Sequence, residues 1–209
     1  MEKFGQNSGY ILYRTRLTGR RHGTLTVREV HDRASVFLDG KYIGDLDRSR
    51  PSIDLPPPRS DSSTLDILVE AYGRVNFGPM LIDRKGITEF AAIGSFTLMH
   101  WEVYPLPLEH DELLKLQFKR GDPGSFPAFY RGAFSLKETG DTYLNMRGWK
   151  RGVVWINGHN LGRYWDIGPQ YDLFVPGAWL IKGENRIIIF DMERTKSAPL
   201  NATSERIRS

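Results

Sequence analysis

Carboxylate side chains are the groups in this sequence that could most directly do chemistry. Hydrolysis of a glycosidic bond needs two carboxyl groups about 5–9.5 Å apart on a rigid scaffold. Most aspartates and glutamates here fall in turns or polar loops, as Asp45 and Asp111 do. Glu70 differs because it ends an apolar segment, where an ion pair with a nearby arginine such as Arg74 is the favoured interpretation. Spacing assigns no second carboxylate to Glu70, so the sequence predicts no catalytic residue.

Other residue types that support catalysis or metal binding are missing or poorly spaced. The chain has no cysteine, which excludes thiolate metal sites and cysteine nucleophiles. Its five histidines never fall into the H-x-x-x-H spacing that places two imidazoles on one helix face. The G-x-S-x-G nucleophile pattern and the phosphate-binding P-loop pattern are also missing. The sequence therefore predicts neither a metal nor a cofactor.

Aromatic residues are concentrated in the second half of the chain. Tyrosine and tryptophan combine an apolar face with a polar group, so exposed rings can stack on a sugar. Trp155 lies inside an apolar segment and is predicted to be a core residue. Tyr164 and Trp165 lead into a polar loop at 166–170, where structural packing and sugar stacking both remain open.

The net charge of +4 is spread along the chain. Residues 1–100 hold 14 basic and 12 acidic residues, and residues 101–209 hold 15 and 13. A nucleic-acid site would concentrate the excess on one face. Apolar runs such as 187–190 are far shorter than the ~20 residues that span a bilayer. We therefore predict neither a nucleic-acid nor a membrane partner. The first residues lack a secretory signal, and a protein without cysteine suits either side of a membrane, so the compartment stays unassigned.

The elements that must position these side chains are short strands. Apolar segments rich in β-branched and aromatic residues are bounded by Gly, Pro, Asp or Asn, which is typical of strands in sandwiches and barrels. The predicted strands are 10–17, 24–30, 34–38, 65–72, 95–104, 113–118, 129–136, 142–145, 152–156 and 185–191. Helical periodicity is nearly absent, with one turn predicted at 176–180. The fold class is therefore predicted to be all-β.

Two similar hairpin sequences indicate an internal duplication. Asp39-Gly40 and Asn157-Gly158 each separate two apolar arms, and both dipeptides favour a type I′ turn. The surrounding segments, 36–44 and 154–162, align without gaps at a separation of 118 residues. A repeat of that length predicts two tandem β-sandwich domains. The prolines at 105 and 107 favour a junction there, which gives domains at 1–106 and 107–209.

Several segments resemble the carboxy-terminal β-domains of glycoside hydrolase family 35 β-galactosidases. The segments 152–165, 167–170 and 173–176 resemble the last domain of that family. The segments 65–70, 73–78 and 83–87 resemble the preceding β-domain, and 101–106 and 129–132 fit as well. The similarity follows the family's order over nearly the whole chain. It implies jelly-roll, galactose-binding-like folds for these domains.

The resemblance also implies a function. Family members carry an amino-terminal (β/α)8 barrel whose two glutamates remove terminal β-linked galactose by a retaining mechanism. No segment here matches that barrel, and a chain of this length is short for one. The chain is therefore expected to be a noncatalytic accessory region whose partner is the catalytic barrel. Export is plausible for such a parent enzyme.

A second hypothesis is an independent carbohydrate-binding module for galactose-containing glycans. This hypothesis is supported mainly by analogy with the galactose-binding-like fold. Its candidate binding residues are Tyr164, Trp165, Asp166, Gln170, Arg74 and Asn76. Residual hydrolysis through an unrecognised carboxylate pair is the third and least favoured hypothesis.

Overall fold

Antiparallel strands are the main regular secondary structure in the computed structural model, which describes residues 1–169 and 171–206. The predicted all-β fold class is confirmed. The chain divides into two compact units, Met1–Leu108 and Glu109–Ser209, whereas the sequence analysis placed the junction at residue 106. No helix among the described residues is long and apolar enough to cross a membrane.

The first unit is a β-sandwich of two antiparallel sheets. Its strands are β1 (Tyr10–Thr18), β2 (Gly23–Val27), β3 (Val30–His31), β4 (Arg33–Leu38), β5 (Lys41–Asp47), β6 (Ser52–Leu55), β7 (Ser62–Glu70), β8 (Gly86–Ile87), β9 (Ala91–Ile93), β10 (Phe96–Thr97) and β11 (Glu102–Leu106), preceded by a 3₁₀ turn at Glu2–Phe4. One sheet has the order β11-β1-β7-β4-β5 and the other β10-β9-β2-β6, while β3 pairs with β8. Side chains of both sheets, such as Ile67 and Leu25, are buried in one core.

The second unit is a smaller sandwich with its own core. Its elements are helix α1 (His110–Leu114), strands β12 (Ala128–Leu136), β13 (Thr142–Asn145), β14 (Arg151–Ile156), β15 (His159–Trp165), β16 (Asp172–Val175), β17 (Gly183–Asp191) and β18 (Asn201–Thr203), and a 3₁₀ turn at Gly177–Trp179. One sheet has the order β12-β17-β14-β15 and the other β16-β13-β18. Val154, Ile189 and Leu144 are buried between them. Every residue of β14 is buried, as expected for a strand covered on both faces.

Both predicted hairpins are present and share a further detail. Asp39 and Gly40 join β4 to β5 with φ values of 52° and 74°, and Asn157 and Gly158 join β14 to β15 with 50° and 86°. Two successive positive φ values are what a type I′ turn requires. Each hairpin also has a register shift, after Val36 in one and after Val154 in the other. The structural correspondence therefore keeps the 118-residue separation seen in the sequence.

Three of the predicted strands are wrong. The segment 24–30 is divided into β2 and β3, and Glu29 between them takes a positive φ of 55°. The segment 95–104 is divided into β10 and β11, because His100 takes a positive φ of 58° that interrupts an extended strand. The segment 113–118 begins inside α1 instead of a strand. The Glu112 carboxylate accepts the Glu109 N–H at 3.1 Å, which satisfies a donor at the helix start. The predicted turn at 176–180 is confirmed as the 3₁₀ turn.

Candidate functional site

Tyr164 and Trp165 point to opposite sides of β15. Successive side chains of a strand alternate between its faces. The Tyr164 ring is fully buried in the core of the second unit, and its hydroxyl donates to the Asp191 carboxylate at 2.8 Å. Trp165 is half-buried. Tyr164 is therefore a core residue with no face available to a sugar, and of the two only Trp165 reaches the surface.

Asp191 is a buried hydrogen-bond acceptor that joins the end of β17 to neighbouring segments of the second unit. Its carboxylate accepts the backbone N–H groups of Lys150, Glu193 and Arg194 at 2.9–3.0 Å, in addition to the Tyr164 hydroxyl. Backbone donors and a neutral hydroxyl thus satisfy a buried acid at the end of β17. The sequence analysis did not single out Asp191, although its place after the apolar run 187–190 was a signal.

The side chains around Trp165 are mostly charged. The guanidinium carbons of Arg151 and Arg163 lie 5.8 and 5.5 Å from its ring centre, within the range of cation–π attraction. Asp166, the next residue, accepts from Lys150 Nζ at 2.7 Å. The hydrogen bond from Lys150 to Asp166 raises the pKa of that lysine above its ordinary value. Asp166 is therefore held in a surface ion pair beside the ring.

The loop after Asp166 adds a second aromatic ring. Tyr171 packs against Gly168, and the Arg147 guanidinium lies 4.6 Å from the Tyr171 ring centre. The predicted site residue Gln170 lies outside the described residues. Hydrogen bonds from Gly168 N to Trp165 O and from Met146 N to Tyr171 O join these positions locally. We call Arg147, Lys150, Trp165, Asp166 and Tyr171 the Trp165 surface, which combines rings and charged groups suited to contact a polyol.

Arg74 and Asn76 belong to the first unit. The Arg74 guanidinium pairs with Glu2 and donates to the carbonyls of Asp83 and Asn7, each at 3.3 Å. Asn76 lies exposed in the same connection between β7 and β8. Arg74 and Asn76 are thus both exposed, and the Arg74 side chain binds the segments around it.

A buried ionic cluster lies beside Arg74. Lys85 is buried, and its Nζ lies 2.9 Å from both carboxylate oxygens of Asp32 and 3.0 Å from Asp83 Oδ2. Arg48 also donates to Asp83, and His31 Nδ1 lies 3.0 Å from its other oxygen. Burial raises the pKa of Asp83, but hydrogen bonds from Lys85 and Arg48 outweigh it and lower that pKa. We call Asp32, Arg48, Asp83 and Lys85 the Lys85 cluster.

Sequence reasoning missed the Lys85 cluster. The run Asp83-Arg84-Lys85 looks like an ordinary solvated turn, and Asp32 is distant along the chain. The sequence signal for the cluster was that 83–87 is one of the segments that resemble the family. Each charged group of the cluster pairs with a group of opposite charge. The cluster can therefore hold the segments around Asp32, Arg48 and Asp83 together.

The remaining buried acids of the first unit also have structural partners. Asp66 binds Arg14 through two hydrogen bonds of 2.7 and 2.9 Å. Glu70 is buried and accepts from the Tyr10 hydroxyl at 3.5 Å. Across residues 1–169 and 171–206, no group of three His, Cys, Asp or Glu side chains is placed to hold a metal ion.

Both units match models of known protein domains. Residues 1–107 match the model described as "Beta-galactosidase, first all-beta domain". Residues 127–185 match the model described as "Beta-galactosidase, galactose-binding domain". The two matches occur in the order that the sequence resemblance implied.

Individual relatives cover the chain but extend far beyond it. A β-galactosidase of Xanthomonas manihotis is 40% identical over 178 residues, which are 84% of this chain and 29% of that protein. β-Galactosidase-1-like protein 2 of Homo sapiens is 39% identical over 201 residues, which are 93% and 31%. A solved lectin of Pleurotus ostreatus covers 95% of this chain and 73% of its own at 13% identity, with a TM-score of 0.30 that is too low to show a shared fold. This chain thus spans less than a third of these two curated relatives.

Proposed function

Because this chain belongs to the β-galactosidase family, we propose that its two domains, 1–106 and 107–209, are the noncatalytic accessory region of an enzyme that removes terminal β-linked galactose. The region packs against a separate catalytic barrel and supports its shape. The observation that carries this proposal is coverage: two domain matches span residues 1–107 and 127–185, and the chain aligns with only 29% of one relative and 31% of another.

The bonding of the buried acids supports a noncatalytic role. Asp66, Asp83 and Asp191 are each held by hydrogen bonds that fix a strand or a loop. A general acid in a glycosidase needs a raised pKa so that it is protonated at working pH. Asp83 has the opposite shift, since Lys85 and Arg48 stabilise its charged form. These acids are therefore suited to hold the fold together.

An assay of the purified chain tests the first part of the proposal. We expect no hydrolysis of a chromogenic β-galactoside above the buffer rate. Turnover that stays with the chain through further purification steps would show that the chain is itself an enzyme.

A chimera tests the second part. In it, this chain replaces the matched 29% of the Xanthomonas manihotis β-galactosidase, with which it is 40% identical. We expect the chimera to hydrolyse the substrate and to inactivate more slowly on heating than the same enzyme with that region deleted. Equal inactivation rates for the two proteins would contradict a supporting role.

The alternative function is an independent carbohydrate-binding module. The observation that favours it is the Trp165 surface, which presents an aromatic ring beside an Asp–Lys pair in a unit matched by a model described as galactose-binding. Within it, Trp165 and Asp166 remain candidate sugar contacts, Gln170 stays a prediction, and Arg74 and Asn76 are candidates in the first unit. Tyr164 is omitted because it is buried.

Sugar titrations separate the two functions. Galactose, lactose and pectic galactan are added to the labelled chain and followed by NMR, with Trp165→Ala and Phe174→Ala as variants. Phe174 is an exposed aromatic of the same unit outside the Trp165 surface. Saturable shifts that Trp165→Ala removes and Phe174→Ala preserves would establish the binding module, whereas an accessory region gives no saturable shifts.

A further inference from the structure

Four large apolar side chains are exposed within six consecutive residues of the first unit. We call residues 77–82 the apolar loop. Phe77 is 89% exposed and Ile82 is 90% exposed, and Met80 and Leu81 between them are more than half exposed. Single exposed apolar residues are ordinary on protein surfaces, but clusters of them mark interaction sites. This loop therefore requires an explanation beyond the stability of the first unit.

The apolar loop is fastened at both of its ends. Before it, Arg74 binds Glu2 and the carbonyls of Asp83 and Asn7. After it, Asp83 and Lys85 are buried in the Lys85 cluster. Asp83 N also donates to Met80 O at 3.0 Å, which forms a turn inside the loop. An anchored loop loses less conformational entropy on binding than a free one, so the fastening favours a docking role.

The surroundings of the loop give its partner a definite chemistry. An apolar centre with a polar border is the usual anatomy of a protein interface. Arg84, next to the buried Asp83, is exposed and places positive charge beside the loop. A complementary surface has an apolar depression with acidic residues at its border. A neutral polysaccharide lacks both of these features.

We propose that the apolar loop docks the first unit onto the catalytic domain of the parent β-galactosidase. This inference rests on the proposed function and names the surface through which it operates. More than two thirds of each curated relative described above lies outside the region that this chain matches. The loop lies inside the matched first domain, residues 1–107. The partner is thus polypeptide that accompanies this domain in its relatives, and the anchored apolar side chains are the surface available to meet it.

Amide hydrogen exchange compares the loop in the isolated chain and in the Xanthomonas manihotis chimera. We expect the amides of residues 77, 78 and 80–82 to exchange at least tenfold more slowly in the chimera, because the interface excludes water. The amides beside Phe96 and Met99, which are 63% and 64% exposed in the same unit, serve as the internal reference. Unchanged exchange at the loop would overturn the proposal.

Two double variants provide the matched comparison. Phe77→Ser with Ile82→Ser alters the loop, and Phe96→Ser with Met99→Ser removes two other apolar groups of the unit that are more than half exposed. Both isolated variants are expected to keep the melting temperature of the parent chain. In the chimera, the loop variant is expected to inactivate on heating at least tenfold faster, while the other double variant leaves the rate unchanged.

The outcomes distinguish the docking surface from the proposed function. A chimera no more stable than the deleted enzyme contradicts the accessory function itself. A stabilised chimera that tolerates the loop variant keeps the function and overturns the docking proposal. Sedimentation of the isolated chain checks for a second copy, and self-association that only the loop variant abolishes also overturns the proposal.

Insolubility of the fused chimera does not leave the question open. The two pieces are then co-expressed, with the affinity tag on this chain. Copurification that the loop variant abolishes and the Phe96/Met99 variant preserves supports docking. Absence of copurification, or equal copurification of both variants, counts against it.

Discussion

The hairpins after β4 and β14 have similar sequences and the same backbone but different surroundings. Each has a type I′ turn with glycine at its second position, and each has a register shift that leaves one residue of the second strand unpaired in the register, Ile43 in one hairpin and Leu161 in the other. Around Gly40 there is open space, whereas a Cβ added at Gly158 would collide with the His110 ring of α1. His159 also stacks on Trp179, with ring centres 4.7 Å apart. Local sequence therefore determines the turn, and distant elements determine what covers it.

The two units also fasten their loops with different chemistry. The first unit uses buried opposite charges in the Lys85 cluster. In the second unit, the buried acid Asp191 is bound by backbone N–H groups and the Tyr164 hydroxyl, and the buried Arg151 pairs with the part-exposed Glu193. Removing one member of a buried ion pair leaves an uncompensated charge, while removing a hydrogen-bond acceptor leaves neutral donors. The first unit should therefore be more sensitive to loss of a single side chain.

Lys85→Met is expected to have the largest effect. It leaves Asp32 and Asp83 with Arg48 as the cation that they still share, and it removes the buried partner of both, which should destabilise the first unit by about 3 kcal/mol. Urea unfolding checks this, with amide exchange of β7 and β14 reporting on the two units separately. The matched variant Lys150→Met breaks the half-exposed pair with Asp166 and should cost under about 1 kcal/mol. Equal costs for the two lysines would contradict the ranking.

Asp191→Ala is expected to rank second. It removes the acceptor of three backbone N–H groups and leaves the buried Tyr164 hydroxyl with Phe190 O at 3.1 Å. Since hydrogen bonds to a charged group contribute about 1.5–3 kcal/mol, we expect the second unit to lose about 3 kcal/mol. The urea midpoint read from β14 measures this loss. Tyr164→Phe removes one hydrogen-bond donor and should cost about 1 kcal/mol of unfolding free energy. A loss larger than that of Asp191→Ala would show that Tyr164 contributes more to stability than the Asp191 carboxylate.

Sequence predicted the features that depend on neighbouring residues. The Asp-Gly and Asn-Gly turns were found because positive φ is encoded by two adjacent residues. Helix α1 was missed because its apolar leucines suit a strand, although Glu109 and Glu112 have the spacing of a capping box. Alternation along β15 could have shown that Tyr164 faces inward when Trp165 faces outward.

The Lys85 cluster was beyond local reasoning. Its Lys85–Asp32 pair joins positions 53 residues apart, and a charged run in a turn is usually solvated. The apolar loop posed the opposite problem, since apolar residues at 77–82 resemble core positions in the sequence. Whether a charged side chain is buried or an apolar one is exposed depends on tertiary packing. Residues 77–85 have both of these unusual features, so their sequence alone did not reveal them.

Substitution of the hairpin glycines tests the difference between the two turns. Gly40→Ala should cost about 1 kcal/mol, the penalty for a Cβ in the left-handed region. Gly158→Ala should cost about 2 kcal/mol, because the Cβ also displaces His110. Urea midpoints of the two units measure these costs. In a His110→Ala background, the cost of Gly158→Ala should fall to that of Gly40→Ala, and failure to fall would show that His110 is not the cause.

Acid should affect the first unit through Glu2. Burial raises the pKa of Glu2, but hydrogen bonds from its own backbone, Arg74 and the Lys85 N–H outweigh it and lower the pKa to about 2 from 4.5. A carboxyl with a lowered folded pKa stabilises the fold above its unfolded value, and that stabilisation disappears as the pH falls through the folded value.

The stability of the first unit should therefore decline between pH 4.5 and about 2. Glu2→Gln cannot titrate, so its urea midpoint read from β7 should change less over this range than that of the parent chain. Part of the decline should remain in the variant, because Asp83 also has a lowered pKa. In the second unit, the lowered pKa of Asp122 belongs to a fully exposed group bound to Ser197, so β14 should report a smaller decline. An equal decline in both units would show that buried ion pairs do not make the first unit the more acid-sensitive one.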